Sequence, residues 1–150
     1  GEDWSRMRRE AMGILQQEAA LEEIVRLVGV EALSKEEQLL LHVARIIRED
    51  YLQQNAFDPI DTYTSLHKQQ RLLASIMLLF NEAKTRLNSA PYSMQNFLDL
   101  DVLQKIAQAK MTPEEEVDTT FDQLEKDIRE SVAGLAAEDE VVAEDEKVAA

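Results

Sequence analysis

The chain has 150 residues, 45% of them hydrophobic, with four glycines, three prolines, no cysteine and a net charge of −14. That length suits one domain with room for a tail, and a composition dominated by Ala, Leu, Glu, Gln and Lys/Arg favours helix throughout. Disulfides, thiol catalysis and thiolate metal sites are excluded, and nucleic acid is disfavoured because phosphate contacts need clustered Lys and Arg.

The first predicted helix runs from about Trp4 to Val28. Trp4, Met7, Ala11, Ile14, Leu21, Val25 and Val28 recur at three- and four-residue steps on one face, with Arg8, Arg9, Glu22, Glu23 and Arg26 mostly on the other. Gly29 stands where a helix end needs a residue tolerant of the left-handed conformation. Ser34 and Glu37 form a capping-box pair that opens a second helix, whose apolar face is Leu39, Leu40, Val43, Ile46, Ile47 and Tyr51. Asn55, Asp58 and Pro59 break it within the stretch from Gln53 to Asp61. A third helix is predicted from about Thr64 to Leu87, with Leu66, Leu73, Ile76, Met77, Phe80 and Leu87 as its stripe.

Asn88 to Pro91 ends that helix. A shorter one carrying Val102, Leu103 and Ile106 starts after Asp99 or Asp101, and Thr112, Pro113 and Glu115 supply a cap, a first-turn proline and a capping acid for the last. The last helix turns Val117, Phe121, Leu124, Ile128 and Leu135 to one side. Short connections make the expected fold an all-α antiparallel bundle of about five helices over residues 1–136. Residues 112–150 hold fourteen acids against three bases, a net of −11, which leaves −3 for the rest. From Ala137 onward the sequence is Ala, Val and acid without period, and residues 137–150 are expected to form a disordered acidic tail. No apolar run approaches the ~20 residues that span a bilayer, and no signal segment opens the sequence, so a soluble chain tied to membranes only through partners is expected.

Chemistry is hard to place. No GxxxxGK(S/T) loop, GxGxxG turn, HExxH helix or GxSxG elbow occurs. His42 and His67 fall on different predicted helices with no second ligand nearby, and Asp58 with Asp61 falls short of the six or more oxygens that calcium prefers. No metal and no catalytic residue is assigned. Phe57, an aromatic in a polar loop, either plugs the bundle or presents a flat face for stacking. The acidic turn from Glu31 to Glu37 is fully explained as a capped helix start, with a partner-contacting role as the lesser alternative.

Ordered stretches carry a resemblance. IVRLVGV is followed by Glu31, Ala32, Leu33, Ser34, Lys35, Glu36 and Glu37; ARIIREDYLQQNAFDPIDTY follows, its end shared with DTYTSL, and KIAQAK stands at Lys105 to Lys110. This order resembles the C-terminal helical domain of the catalytic A subunit of V/A-type rotary ATPases, over roughly residues 3 to 136 and most specifically 21 to 66. At His67 and Gln70 the chain departs from the Glu and aromatic of that pattern. The resemblance implies that residues 31–37 are the tip that meets the central stalk, or rotor, subunit. In mitochondrial-type catalytic subunits that tip reads DELSEED, and Ala32 and Lys35 here replace two of its acids, which favours a steric contact over a charge-specific one.

The resemblance further implies that Phe57 contacts adenine with Tyr51 as its support, and that neighbouring B subunits are partners. ATP or ADP and magnesium would be bound by an upstream domain, none of them by this chain alone. Its implied function is a lever coupling ATP hydrolysis or synthesis to rotation and to proton or sodium transport, in a cytoplasmic sector peripheral to the membrane. Alternatives are the equivalent domain of the non-catalytic B subunit and a stand-alone helical adaptor with an acidic end.

Overall fold

The computed structural model describes residues 1–53 and 64–138. The described residues form six α-helices and no strand: α1 Glu2–Val28, α2 Lys35–Ile46, α3 Leu66–Ser89, α4 Met94–Leu98, α5 Val102–Ala109 and α6 Val117–Ala133. All-α architecture agrees with the sequence, with one helix more than the five expected.

Side chains set the helix starts. Ser34 accepts from the Glu37 amide at 3.1 Å while the Glu37 carboxylate accepts from the Ser34 amide at 2.9 Å, closing the expected capping box on α2. Ser65 caps α3 through the Lys68 amide, and Ser93 caps α4 through the Asn96 amide. The last helix starts differently from expectation. No side chain caps it; a 3₁₀ turn over Glu114–Glu116 leads into α6, and the Glu114 carboxylate instead accepts from the Ser65 amide and hydroxyl at 3.2 and 2.8 Å. The acid of that turn therefore ties α6 to the start of α3.

α3 is the spine. Leu73, Ile76, Leu79 and Ala83 are wholly buried on it, and it packs against α1 and α2 on one side and most extensively against α6 on the other. Two expected face residues lie outside. Leu66, the first residue of α3, is 59% exposed, and the inward position of that turn belongs to Lys68, 2% exposed, whose ammonium reaches the Lys110 carbonyl at 3.2 Å. Val28 is 66% exposed because α1 runs on past the point where α2 begins to cover it. On α6 the expected residues Val117, Phe121, Leu124 and Ile128 are buried, with Val132 added, while Leu135 is buried just past the end of the helix at Ala133.

Between α3 and α5, Tyr92 and Phe97 are buried completely, and the Tyr92 hydroxyl donates to the Ala83 carbonyl at 2.7 Å. Between α1 and α2 the buried Glu18 receives a two-pronged contact from Arg48, Nε at 3.0 Å and Nη2 at 2.7 Å. That geometry is the one that makes a partly dry ion pair worth its desolvation. No helix among the described residues is long and apolar enough to cross a membrane.

Candidate functional site

The tip of the bundle is built from the end of α1 and the start of α2. Gly29 has φ 93° and ψ 161°, and its amide still donates to the Val25 carbonyl at 2.8 Å. The positive φ is as expected. The ψ value, however, places it in the extended region open only to glycine, not in the left-handed helical one. A short 3₁₀ turn, Val30–Ala32, follows, and Leu33 then drops inward as a plug. The Gln38 side-chain amide ties the turn from beneath by donating to the Leu33 carbonyl at 3.2 Å and the Val30 carbonyl at 3.4 Å.

Residues 31–37 divide by orientation. Glu31, Ala32, Ser34 and Glu36 are exposed, Glu37 is committed to the cap, Leu33 is core, and Lys35 is half-buried. The Lys35 ammonium turns away from the tip to the Glu138 carboxylate and lies 3.5 Å from the Tyr92 carbonyl. The tip therefore shows Glu31 and Glu36 as its outward charges.

Sequence reasoning missed the larger feature of this end. Leu27 is 73% exposed beside Val28, with Ile24 and Val30 also open to solvent, so four branched aliphatic side chains within seven residues are exposed around the end of α1. Of these only Val28 belongs to the expected stripe, and the late start of α2 leaves it uncovered; Ile24, Leu27 and Val30 fall off the stripe, where their apolar character is the available signal. Apolar side chains gathered in this way mark a contact surface more often than a solvated one.

A second region lies at the other end of α2. Residues Ile47–Leu52 continue the helix as a π turn, with the Gln53 amide donating to the Arg48 carbonyl at 2.9 Å. Such turns recur at functional sites because they re-aim the side chains they carry. Here they bring Asp50 and Tyr51 to a cleft of about 130 Å³ shared with Gln53, Gln69, Leu72 and Lys110. Burial raises the Tyr51 phenol above its usual value, with Arg8 opposing, and burial together with Glu49 raises the Asp50 carboxyl against the pull of Lys110. The Lys110 ammonium donates to the Gln53 carbonyl at 3.2 Å, holding the last described residue before residue 64. By itself the cleft is below the ~300 Å³ at which small-molecule pockets begin. Phe57, Asp58 and Asp61 lie outside the described residues, as do residues 139–150 of the acidic segment.

The histidines have ordinary surroundings. His67 Nε2 lies 2.7 Å from the Asp118 carboxylate on the surface, and burial, aided by Arg45, lowers the pKa of His42, whose ring sits 6.4 Å from that of Phe97. Among the described residues no group of three or more His, Asp or Glu side chains is placed to hold a metal.

Residues 1–97 match the family described as the C-terminal domain of V and A type ATP synthase. The chain is 48% identical over 137 residues to the V-type ATP synthase alpha chain of Acetivibrio thermocellus, covering 91% of this chain and 23% of that one. It is 47% identical over 134 residues to the protein of the same name from Clostridium botulinum strain Hall, at 87% and 22% coverage. With the Thermoanaerobacter pseudethanolicus alpha chain it shares 48% over 134 residues, at 89% and 22%. The chain thus spans less than a quarter of the length of these relatives.

Proposed function

We infer the function of this chain from its family: it belongs to the C-terminal domains of V and A type ATP synthases. Our reading is that it is the lever of the catalytic subunit. Nucleotide binding in an upstream domain would swing the bundle, and its tip would bear on the central stalk subunit, coupling ATP hydrolysis or synthesis to rotation and to proton or sodium transport. ATP or ADP and magnesium would be held upstream, and neighbouring B subunits would flank the chain, in a sector peripheral to the membrane.

The observation that carries this reading is the shape of the tip. A closely packed bundle, its spine buried on two sides, ends in an uncovered aliphatic cluster of Ile24, Leu27, Val28 and Val30. Close-packed helices transmit a displacement as a body, which is what a lever requires. An aliphatic end with Glu31 and Glu36 beside it suits a push by shape, with charge as a supplement. The names of the relatives, all alpha chains, favour the catalytic subunit over the non-catalytic B subunit.

The test is paired substitution of Leu27→Asp and Val28→Asp in the assembled enzyme. Shortening the turn from Val30 to Glu37 would be a poorer test, because it removes the Leu33 plug and the Ser34 cap and damages the fold. We expect the paired variant to retain ATP hydrolysis while delivering less torque; normal torque would remove the lever reading. An adenine contact through Phe57, supported from Tyr51, belongs to the same proposal. Phe57→Ala should weaken nucleotide affinity more than it slows the chemical step, and unchanged affinity would count against the assignment. A stand-alone adaptor would instead require a start codon close upstream of Gly1 in the reading frame.

A further inference from the structure

We propose that Lys35 is the brace of the tip, tying the α1–α2 turn to the far side of the bundle through Glu138. In the resemblance to DELSEED-type tips, Lys35 occupies an acidic position of the partner-contacting turn. In the structure its ammonium points the other way, into an ion pair with Glu138. Glu138 is itself anchored, because its amide donates to the Pro91 carbonyl at 2.7 Å. The Arg86 guanidinium, at the end of α3, donates to the carbonyls of Ala90 and Leu135. Tyr92 is held by its hydroxyl on Ala83 of the same helix. Residues 86–92 and 135–138 are thus knotted together on the spine, and Lys35 is the link from the tip turn to that knot.

The arrangement gives the tip two supports of different kinds. Gln38 and the Ser34–Glu37 box hold it locally, within the α1–α2 hairpin. Lys35 alone, among the described contacts of the turn, carries it across more than a hundred residues of sequence to Glu138, in the segment that follows α6. A load on the turn is then shared with α3 and α6 and is not borne by the hairpin alone. The role in bearing load rests on the lever reading; the brace itself rests on geometry. Because the side chains of Lys35 and Glu138 are 36% and 44% exposed, the link is ionic and screened by salt.

The test is residue-resolved amide hydrogen exchange on the 150-residue chain, with no partner present. Glu138→Gln and Lys35→Met should each speed exchange at Leu33, Glu37 and Gln38 by roughly 1.4- to fivefold, the range of an exposed ion pair. Exchange at Ile76 in the spine should not change. The charge-swapped double variant, Lys35→Glu with Glu138→Lys, should restore protection, which a loss of general packing would not do. Unchanged exchange at Leu33, Glu37 and Gln38 in both single variants, or a swap that fails to rescue, overturns the brace. Either result leaves the torque of the Leu27 and Val28 variant untouched, so failure of the brace and failure of the lever are separately visible.

Discussion

Tyr92 shows how one side chain can be decisive and yet inconspicuous. It is fully buried, its hydroxyl is satisfied by Ala83, and burial, partly offset by Arg86, pushes its phenol up to about 12. Tyr92→Phe should cost about 1 kcal/mol in denaturant unfolding, the usual net value of a single hydrogen bond. Because the folded-state pKa lies above the unfolded value of 10.0, the stabilisation is complete below pH 10 and is lost as pH rises towards 12. The Phe variant should lack that alkaline decline, and ultraviolet titration should lose its highest step. His42 works in the opposite sense. Its lowered pKa means that the unfolded chain binds the proton more readily, so stability is full above 6.5 and falls as pH drops below it. His42→Gln should flatten that acid slope; an unaltered slope would place its origin elsewhere. At Gly29, alanine would put a Cβ 2.9 Å from the Glu31 carboxylate in backbone that side chains avoid, and a loss of about 1–3 kcal/mol is expected in the same unfolding assay.

Legibility in the sequence followed element length and the reach of each contact. α1, α2, α3 and α6 run for three turns or more, long enough for an apolar stripe to declare itself, and the Ser34–Glu37 box is written within four residues. Ser34→Ala should therefore cost about 1 kcal/mol, the typical worth of an N-cap, read as a lower midpoint in thermal or urea unfolding. The five-residue α4 was not legible, because Met94–Leu98 is too short for a period to repeat. Its signal was Ser93 three residues before Asn96, a cap without a helix pattern behind it. Lys68 escaped because a lysine reads as surface, although its stem packs inward and only its ammonium finds the Lys110 carbonyl. Glu114 on Ser65 and Glu138 on Lys35 are cross-bundle contacts, which local patterns do not encode. At the tip, the turn and its cap were readable, whereas the exposure of Val28 depended on where α2 begins, and Ile24, Leu27 and Val30 lay off the expected stripe.

For the molecule to act as one body, α6 has to stay on the spine, and two kinds of contact compete to explain how it does. Along the rim, Arg71 meets Asp118 at 3.0 Å, Asp122 at 2.7 Å and Glu125 at 3.6 Å, while Lys105 meets Asp127 at 2.9 Å. Beneath them lie Val117, Phe121, Leu124, Ile128 and Val132, all buried against the rest of the core. Two of its carboxylates, Asp118 and Asp122, are 72% and 67% exposed, whereas Glu125 and Asp127 are 29% and 20% exposed; pairs open to solvent contribute about 0–1 kcal/mol each and fade with salt. A buried phenyl ring removed from a packed core costs about 3–5 kcal/mol. The apolar face should therefore dominate. Phe121→Ala is expected to lower unfolding free energy by about 3–5 kcal/mol, whereas Arg71→Met, which keeps an unbranched apolar stem over the Phe121 ring, should cost about 1 kcal/mol or less. High salt should narrow the Arg71 effect and leave that of Phe121 unchanged, so chemical denaturation at two ionic strengths separates the two contributions. An Arg71 loss as large as that of Phe121 would mean that charge, not packing, fastens the last helix to the bundle.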